Sequence, residues 1–279
     1  CSCFPCGCRN TCCRPFASFI VEDEPDRYSM KYAVLFLILG PALVAEAVVC
    51  RGLYWFLVWP GISLTVVGLA YLRLGAGVFG KKPDGTLAWH SALLLLPYLL
   101  AAWAVWHVAR IVGREDCYNE VAPGLFVGRR PLAGELPSQV SLVVDLAAEF
   151  SECRAVRTAC RYISAPVLDT GVMDEGAFVA LVQKVAQWPG PVYIHCAQGH
   201  GRTGTLAAAV LLAKGHCDSV DAAIARLRAA RPRLALSKAQ LQFVRRIGDR
   251  LVPKKEPVPA VRPGEQPWSV LTKPPQAEE

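Results

Sequence analysis

Between residues 195 and 204 the chain reads His195-Cys196-Ala197-Gln198-Gly199-His200-Gly201-Arg202-Thr203-Gly204. A thiol, a guanidinium six residues later and three glycines are the parts of an anion cradle with a nucleophile at its base. A loop that leaves a strand and enters a helix N-terminus turns several backbone N–H groups toward one spot, where the helix dipole also favours negative charge. Gly199, Gly201 and Gly204 permit the dihedrals and close approach such a cradle requires. Cys196 would feel those dipoles, which lower a thiol's pKa and expose a thiolate near neutral pH. Arg202 can curl back to hold two phosphate oxygens with its planar fork. A thiolate inside an oxyanion cradle suits attack on a phosphate monoester, and the scheme calls for no metal and no cofactor. A buried structural cysteine beside a glycine-rich turn is the competing reading; it leaves the accompanying His, Arg and Thr unexplained.

The elements that must position this loop follow from the local pattern. Pro189-Gly190 stops one helix, Val192–His195 is a short β-rich run, and Thr203–Lys214 reads as a buried helix closed by Gly215. Asp174–Trp188 places Phe178, Leu181, Val182, Val185 and Trp188 on one helical face. Leu125–Val127 and Leu142–Leu146 read as strands, with Arg161–Ala165 as a third. Ser219–Ala230 and Ser237–Leu251 are further helices, each opened by a serine suited to an N-cap. Short apolar runs alternating with helical periodicity from Cys117 to Val252 predict an α/β domain, a central sheet flanked by helices.

The loop resembles the His-Cys-five residues-Arg-Ser/Thr signature of the cysteine-dependent protein tyrosine phosphatase superfamily. The resemblance covers roughly Asn119 to Leu251. Val121-Ala122-Pro123-Gly124-Leu125-Phe126-Val127-Gly128 is similar to the opening strand of its compact dual-specificity branch. By that resemblance Cys196 would form a phosphocysteine intermediate and Arg202 would bind the phosphoryl group. Thr203 would hydrogen-bond the thiolate and help it leave in the second step. His195 would orient the loop from behind and help keep the thiol ionised. The backbone amides of Ala197, Gln198, Gly199, His200, Gly201 and Arg202 would hold the phosphate oxygens.

The leaving oxygen needs a proton, which the family supplies from a mobile loop upstream of the signature. Asp169, in Pro166-Val167-Leu168-Asp169-Thr170-Gly171 and 27 residues before Cys196, fits that place. Asp174 competes but precedes a helix and reads as its N-cap. Asp145 and Glu149 read as strand-end and loop residues. His200 departs from the Lys or Tyr often found inside this loop; it either meets a second anionic group or faces solvent. Arg228, Arg231 and Arg233 read as a solvated helix face, and Gln240 as a residue that could align the hydrolytic water.

Composition divides the chain in two. Hydrophobic residues make up 53% and charged ones 19%, against about 45–50% and about 25% in soluble domains; disorder of the whole is excluded. Residues 32–109 hold only six charges: Glu46, Arg51, Arg73, Lys81, Lys82 and Asp84. A membrane-spanning helix needs about 20 apolar residues. Gly52–Leu72 and Gly85–Ala109 meet that length, the latter ending in Trp103, Trp106 and His107 as interfacial anchors. Tyr32–Cys50 is a third candidate, interrupted by Gly40-Pro41 and Glu46. The expectation is an all-α transmembrane region of two to three helices over 32–110, followed by a dual-specificity phosphatase-like catalytic domain over 117–252.

Topology brings two arguments into conflict. The loop Arg73–Asp84 carries Arg73, Lys81 and Lys82 against one acid, which places it in the cytoplasm. With Gly85–Ala109 as the next span, the catalytic domain would then lie outside. A free catalytic thiolate needs a reducing compartment. The thiol chemistry takes precedence here: the chain is expected to be a multi-pass protein of a bacterial inner membrane with its catalytic domain in the cytoplasm. A re-entrant segment is the alternative.

The remaining segments are the Cys-rich stretch 1–31, to which no function is assigned, and a disordered Pro-rich tail over 253–279. The formal net charge of +7 favours anionic partners, and no nucleic-acid module is visible. The expected substrate is a phosphotyrosine, phosphoserine or phosphothreonine protein. The alternatives are an anionic phospholipid headgroup of phosphatidylglycerophosphate or phosphoinositide type, or a non-catalytic membrane adaptor that only binds phosphate.

Overall fold

The computed structural model describes residues 27–252. The Cys-rich stretch up to residue 26 and the tail from residue 253 lie outside the described residues.

Two antiparallel helical segments form a hairpin. Helix α1 (Arg27–Cys50) contains Pro41, and the chain turns at Arg51. A 3-10 turn (Gly52–Leu57) leads into α2 (Val58–Leu69), which continues through a π turn (Ala70–Leu74). Glycines allow the two helices to touch: a Cβ on Gly40 would lie 2.7 Å from the Gly61 carbonyl, and one on Gly68 would meet Leu37 at 2.8 Å. Close backbone approach through small residues is how apolar helices associate where lipid offers no hydrophobic drive. At the open end of the hairpin Tyr32 packs on Tyr71, ring centroids 5.5 Å apart.

The third apolar stretch differs from the predicted span. Gly85 to Ala88 is loop, α3 covers Trp89–Leu94, and α4 runs over Leu96–Gly113. Pro97 in the first turn of α4 explains the break, since proline has no N–H to continue α3. Met30–Cys50, Gly52–Leu74 and Leu96–Gly113 are each long and apolar enough to cross a membrane.

The second half is a five-stranded mixed sheet with helices on both faces, as expected. Strands β1 (Tyr118–Ala122), β2 (Leu125–Gly128), β3 (Leu142–Ala147), β4 (Arg161–Val167) and β5 (Val192–His195) lie in the order β1-β2-β5-β3-β4. Only β1 and β2 are antiparallel, joined through Pro123-Gly124. Central β5 is buried throughout. Its last residue, His195, sits between Gly128 of β2 and Asp145 of β3. The loop that follows therefore leaves the carboxyl edge of the sheet at its centre, where α/β sheets place ligand sites.

Helices α5 (Arg154–Ala159), α6 (Glu175–Ala186), α7 (Gly201–Ala213), α8 (Val220–Ala230) and α9 (Lys238–Leu251) complete the domain. The N-caps fall on the expected residues: Asp174, Ser219 and Ser237 each accept a backbone N–H through the side chain. Strand β1 and helix α5 were not expected. Tyr-Asn-Glu-Val-Ala and Arg-Ala-Val-Arg-Thr-Ala carry too few apolar residues to declare a period.

Candidate active site

The segment from His195 to Gly201 turns back on the Cys196 sulfur at Gly199. Cys196 is buried, and the Gly199 N–H donates to its Sγ at 3.3 Å. Gly199 takes φ +76°, and a Cβ there would lie 2.2 Å from the Gly128 carbonyl carbon. Glycine is thus required both by the backbone conformation and by the strand beside it. Helix α7 begins at Gly201, and every residue from Arg202 to Leu212 is buried. The Gly199 amide meets the sulfur, and the helix that follows the loop starts at Gly201.

Arg202 is held by carboxylates from two other segments. Its Nη1 and Nη2 donate to Glu149 in a bidentate pair, both at 2.8 Å, and Nη1 also donates to the Val167 carbonyl at 2.9 Å. Asp169 Oδ1 lies 3.2 Å from Nη2. Burial would push the guanidinium pKa down, but Glu149 and Asp169 outweigh it and hold the charge firmly. Glu149 is likewise raised by burial and lowered further by Arg202, so it stays ionised. Two donors remain unused: Arg202 Nε and Thr203 Oγ1 are buried without a hydrogen-bond partner among the described residues. Unpaired buried polar groups are costly, and both stand in the first turn of α7, directly after the loop that carries Cys196.

His195 is fully buried behind the loop. Its Nδ1 donates to the Cys196 carbonyl at 3.3 Å and lies 3.9 Å from Asp145 Oδ1, while Nε2 lies 3.6 Å from Glu152 Oε2. Asp145, Glu152 and His195 could together ligate a cation. Lys81 already supplies positive charge there, with Nζ 2.5 Å from Asp145 Oδ2. Burial raises the Asp145 pKa, but Lys81 and His195 prevail and keep it ionised.

The expected acid, Asp169, is half-exposed at the rim beside Arg202. Its loop is tied down rather than loose: Thr170 O accepts from Ser237 Oγ at 3.0 Å, and Gly171 O from Gln240 Nε2 at 3.1 Å. Asp174 caps α6 instead. Gln240 is buried against Gly201, but both ends of its amide are taken, by Ser237 N and Gly171 O.

Several residues bear on the site against expectation. Arg231 is not on a solvated face: it is 2% exposed and donates to Gln198 O, Asp116 O and Asn119 Oδ1, clamping the loop to the start of the domain. His200 is partly exposed and not free, since its Nε2 meets Glu115 Oε2 at 2.8 Å. Trp106, expected as an interfacial anchor, is buried and donates from Nε1 to the Ala197 carbonyl at 2.8 Å. Lys81, Trp106, Asp145, Glu149 and Arg231 had no sequence signal tying them to residue 196. Each is a long-range pairing that only the fold creates.

The chain was compared with known protein families and structures. Residues 138–248 match the family model PTP-SAK, described as Swiss Army Knife protein, DSP-PTPase phosphatase domain. A mouse protein described as a dual specificity phosphatase, complexed with zinc tungstate, is 24% identical, with a TM-score of 0.41 over 50% of this chain and 95% of that one. PTPMT1 in complex with PI(5)P is 19% identical, with a TM-score of 0.44 over 49% and 97%. The human tyrosine phosphatase-like serine/threonine/tyrosine-interacting protein is 17% identical, with a TM-score of 0.41 over 47% and 95%. No curated protein matches the chain. The match over 138–248 takes in the Cys196 loop and Arg202, so the second half of this chain is similar to a DSP-type phosphatase domain, which supports a cysteine-based phosphatase, and it is preceded by apolar helices long enough to cross a membrane.

Proposed function

We propose that the protein hydrolyses phosphate monoesters through a phosphocysteine intermediate. The observation that carries this reading is the pair of buried donors without a partner among the described residues, Arg202 Nε and Thr203 Oγ1, in the first turn of the helix that follows the Cys196 loop. A phosphoryl group bound by the amides of Ala197 to Arg202 would satisfy Nε, with its phosphorus facing Sγ. The Cys196 thiolate attacks phosphorus, the bond to the leaving oxygen breaks, and Asp169 gives that oxygen its proton. In the second step water attacks the phosphocysteine and passes a proton back to Asp169. Inorganic phosphate forms, and the thiolate leaves with the Thr203 hydroxyl turned toward it. Glu149 holds Arg202 in plane, and His195 fixes the Cys196 carbonyl from behind; both are positioning residues.

We further propose that the substrate phosphate sits on an anionic phospholipid headgroup rather than on a protein. What supports this is where the apolar helices lie. Leu168, next to the acid, and Ala148, next to Glu149, pack into a cluster with Ala33, Val67, Tyr71, Phe79 and Leu95 of the helical half. The acid's loop thus abuts the segments that contact lipid in the anchor reading, and a headgroup reaches it without leaving the leaflet.

Full-length protein in detergent should release phosphate from an aryl phosphate in the presence of a chelator and be inhibited by vanadate. Cys196→Ser should be inactive. Phosphopeptides and vesicles containing phosphatidylglycerophosphate or a phosphoinositide then separate the substrates. Turnover of peptides alone would reject the lipid assignment, and an inactive wild type that still binds phosphate would favour the adaptor reading.

A further inference from the structure

The geometry points to α4 as a helix that lies along one leaflet against the catalytic domain and does not cross the membrane. This goes beyond the catalytic reading and does not depend on it.

A spanning helix has its two ends in different compartments, yet α4 is held by the same domain from before its start to past its end. On the upstream side, the loop between the hairpin and α3 enters the domain. Lys81 pairs with Asp145, Gly85 O accepts from Glu152 N at 2.8 Å, and Asp84 O accepts from Arg157 Nη1 at 3.1 Å. In the middle, Trp106 bonds to Ala197 and packs on Phe150 with ring centroids 6.1 Å apart. At the downstream end, a Cβ on Gly113 would meet Arg233 at 3.0 Å, and Glu115 pairs with His200. An 18-residue helix is about 27 Å long, nearly the thickness of a hydrocarbon core. For α4 to cross, Lys81, Asp145, Glu152 and Arg157 would have to be drawn through lipid.

The two faces of α4 agree with an in-plane position. Ala102, Trp106 and Arg110, four residues apart, form the face turned to the domain, with the Arg110 guanidinium over the Trp106 ring at 5.6 Å. The opposite face is apolar and open: Leu100, Val105, Val108, Ile111 and Val112 are each more than half exposed. Such a face on a helix that water reaches would be an aggregation hazard. Lipid is the occupant it fits, because α2, which packs against α4, and α1 beside it also expose apolar flanks.

The consequence is topological. Only α1 and the α2 segment cross, and their tip carries Arg51. The return end carries Arg73, Lys81 and Lys82 on the same side as the catalytic domain. Positive charge and the free thiol then call for the same compartment, the cytoplasm, and the conflict between them disappears.

The test places a short protease site in the full-length chain at three positions, one variant each: beside Gly52, at Gly75–Gly77, and in the tail after Pro253. The first two are open, with nothing within 4 Å of where a Cβ on Gly52, Gly75 or Gly77 would stand. In sealed vesicles of either orientation, the Gly75–Gly77 and tail sites should be cut from the same face, and the Gly52 site from the other. Cutting of the Gly75–Gly77 and tail sites from opposite faces would overturn the inference. Should an insertion abolish aryl phosphate turnover, Lys82→Cys labelled by an impermeant maleimide and read by peptide mass replaces it. Labelling of residue 82 from the face opposite to tail cleavage has the same overturning force.

Discussion

Replacing Lys81 by methionine tests whether the helical half is part of the catalytic structure or a tether for it. The Lys81 ammonium is fully buried, 2.5 Å from an Asp145 carboxylate that is itself 1% exposed. Gross attraction at that distance is about 7 kcal/mol at an effective dielectric of about 20, most of it offset by desolvation of both charges. Deleting one partner leaves the other charge uncompensated, which typically costs about 3–5 kcal/mol. Asp145 would keep the Tyr162 hydroxyl at 2.5 Å and the Ala147 N–H at 2.9 Å, so the lower part of that range is expected. For a protein of this size about 3 kcal/mol lowers Tm by roughly 6–12 °C.

Thermal unfolding of full-length protein in detergent, followed alongside aryl phosphate turnover, measures both effects. Lys81→Met/Asp145→Asn should recover more than half of the lost stability, since no charge is left stranded. The deficit of the single variant should also shrink toward pH 5. Asp145 is held ionised in the native protein by Lys81 and His195, so its contribution is present above the unfolded carboxylate pKa of about 3.9 and fades as pH falls. Without Lys81 the carboxyl protonates at a higher pH and the penalty disappears sooner. A single variant within about 1 kcal/mol of wild type, or a double variant no better than the single, would refute the view that this loop is built into the domain.

Asp169→Asn should slow alkyl phosphate hydrolysis by about 100-fold or more while leaving thiol phosphorylation by a good aryl leaving group nearly intact; burst kinetics distinguish the two. Glu149→Gln should raise KM for aryl phosphate about tenfold or more with a smaller change in kcat, because the bidentate brace on Arg202 is halved. Trp106→Phe keeps the ring but leaves the Ala197 carbonyl without its donor, so about 1–3 kcal/mol of stability and part of kcat should be lost; unchanged kcat would show that α4 does not position the loop. Glu135, paired with Arg129 and lowered to about 2, should contribute about 1–2 kcal/mol after solvent screening. That stability is present above about pH 4.5 and is lost as pH falls toward 2. Glu135→Gln should flatten the acid limb of the unfolding curve in that window.

The sequence alone pointed to the candidate loop and to most of the scaffold around it. Cys196, Arg202 and Thr203 lie on one contiguous loop, and four of the five strands and four of the catalytic domain's helices carry their period, caps and stops locally. The place of Asp169 beside that loop was legible from its distance in the chain. How distant parts converge on it came from the fold alone. Glu149 looked like a loop residue until β3 and α7 brought it to Arg202, and Arg231 looked solvated until α8 turned it under Gln198. Lys81 and Trp106 belonged to the apolar half by every local measure, because hydropathy sums residues along the chain and takes no account of which side of a helix a neighbour covers. A stretch such as Gly85–Ala109 reads as a span by composition alone. Whether it crosses or lies flat depends on whether both ends meet the same domain, a long-range relation that no local pattern encodes.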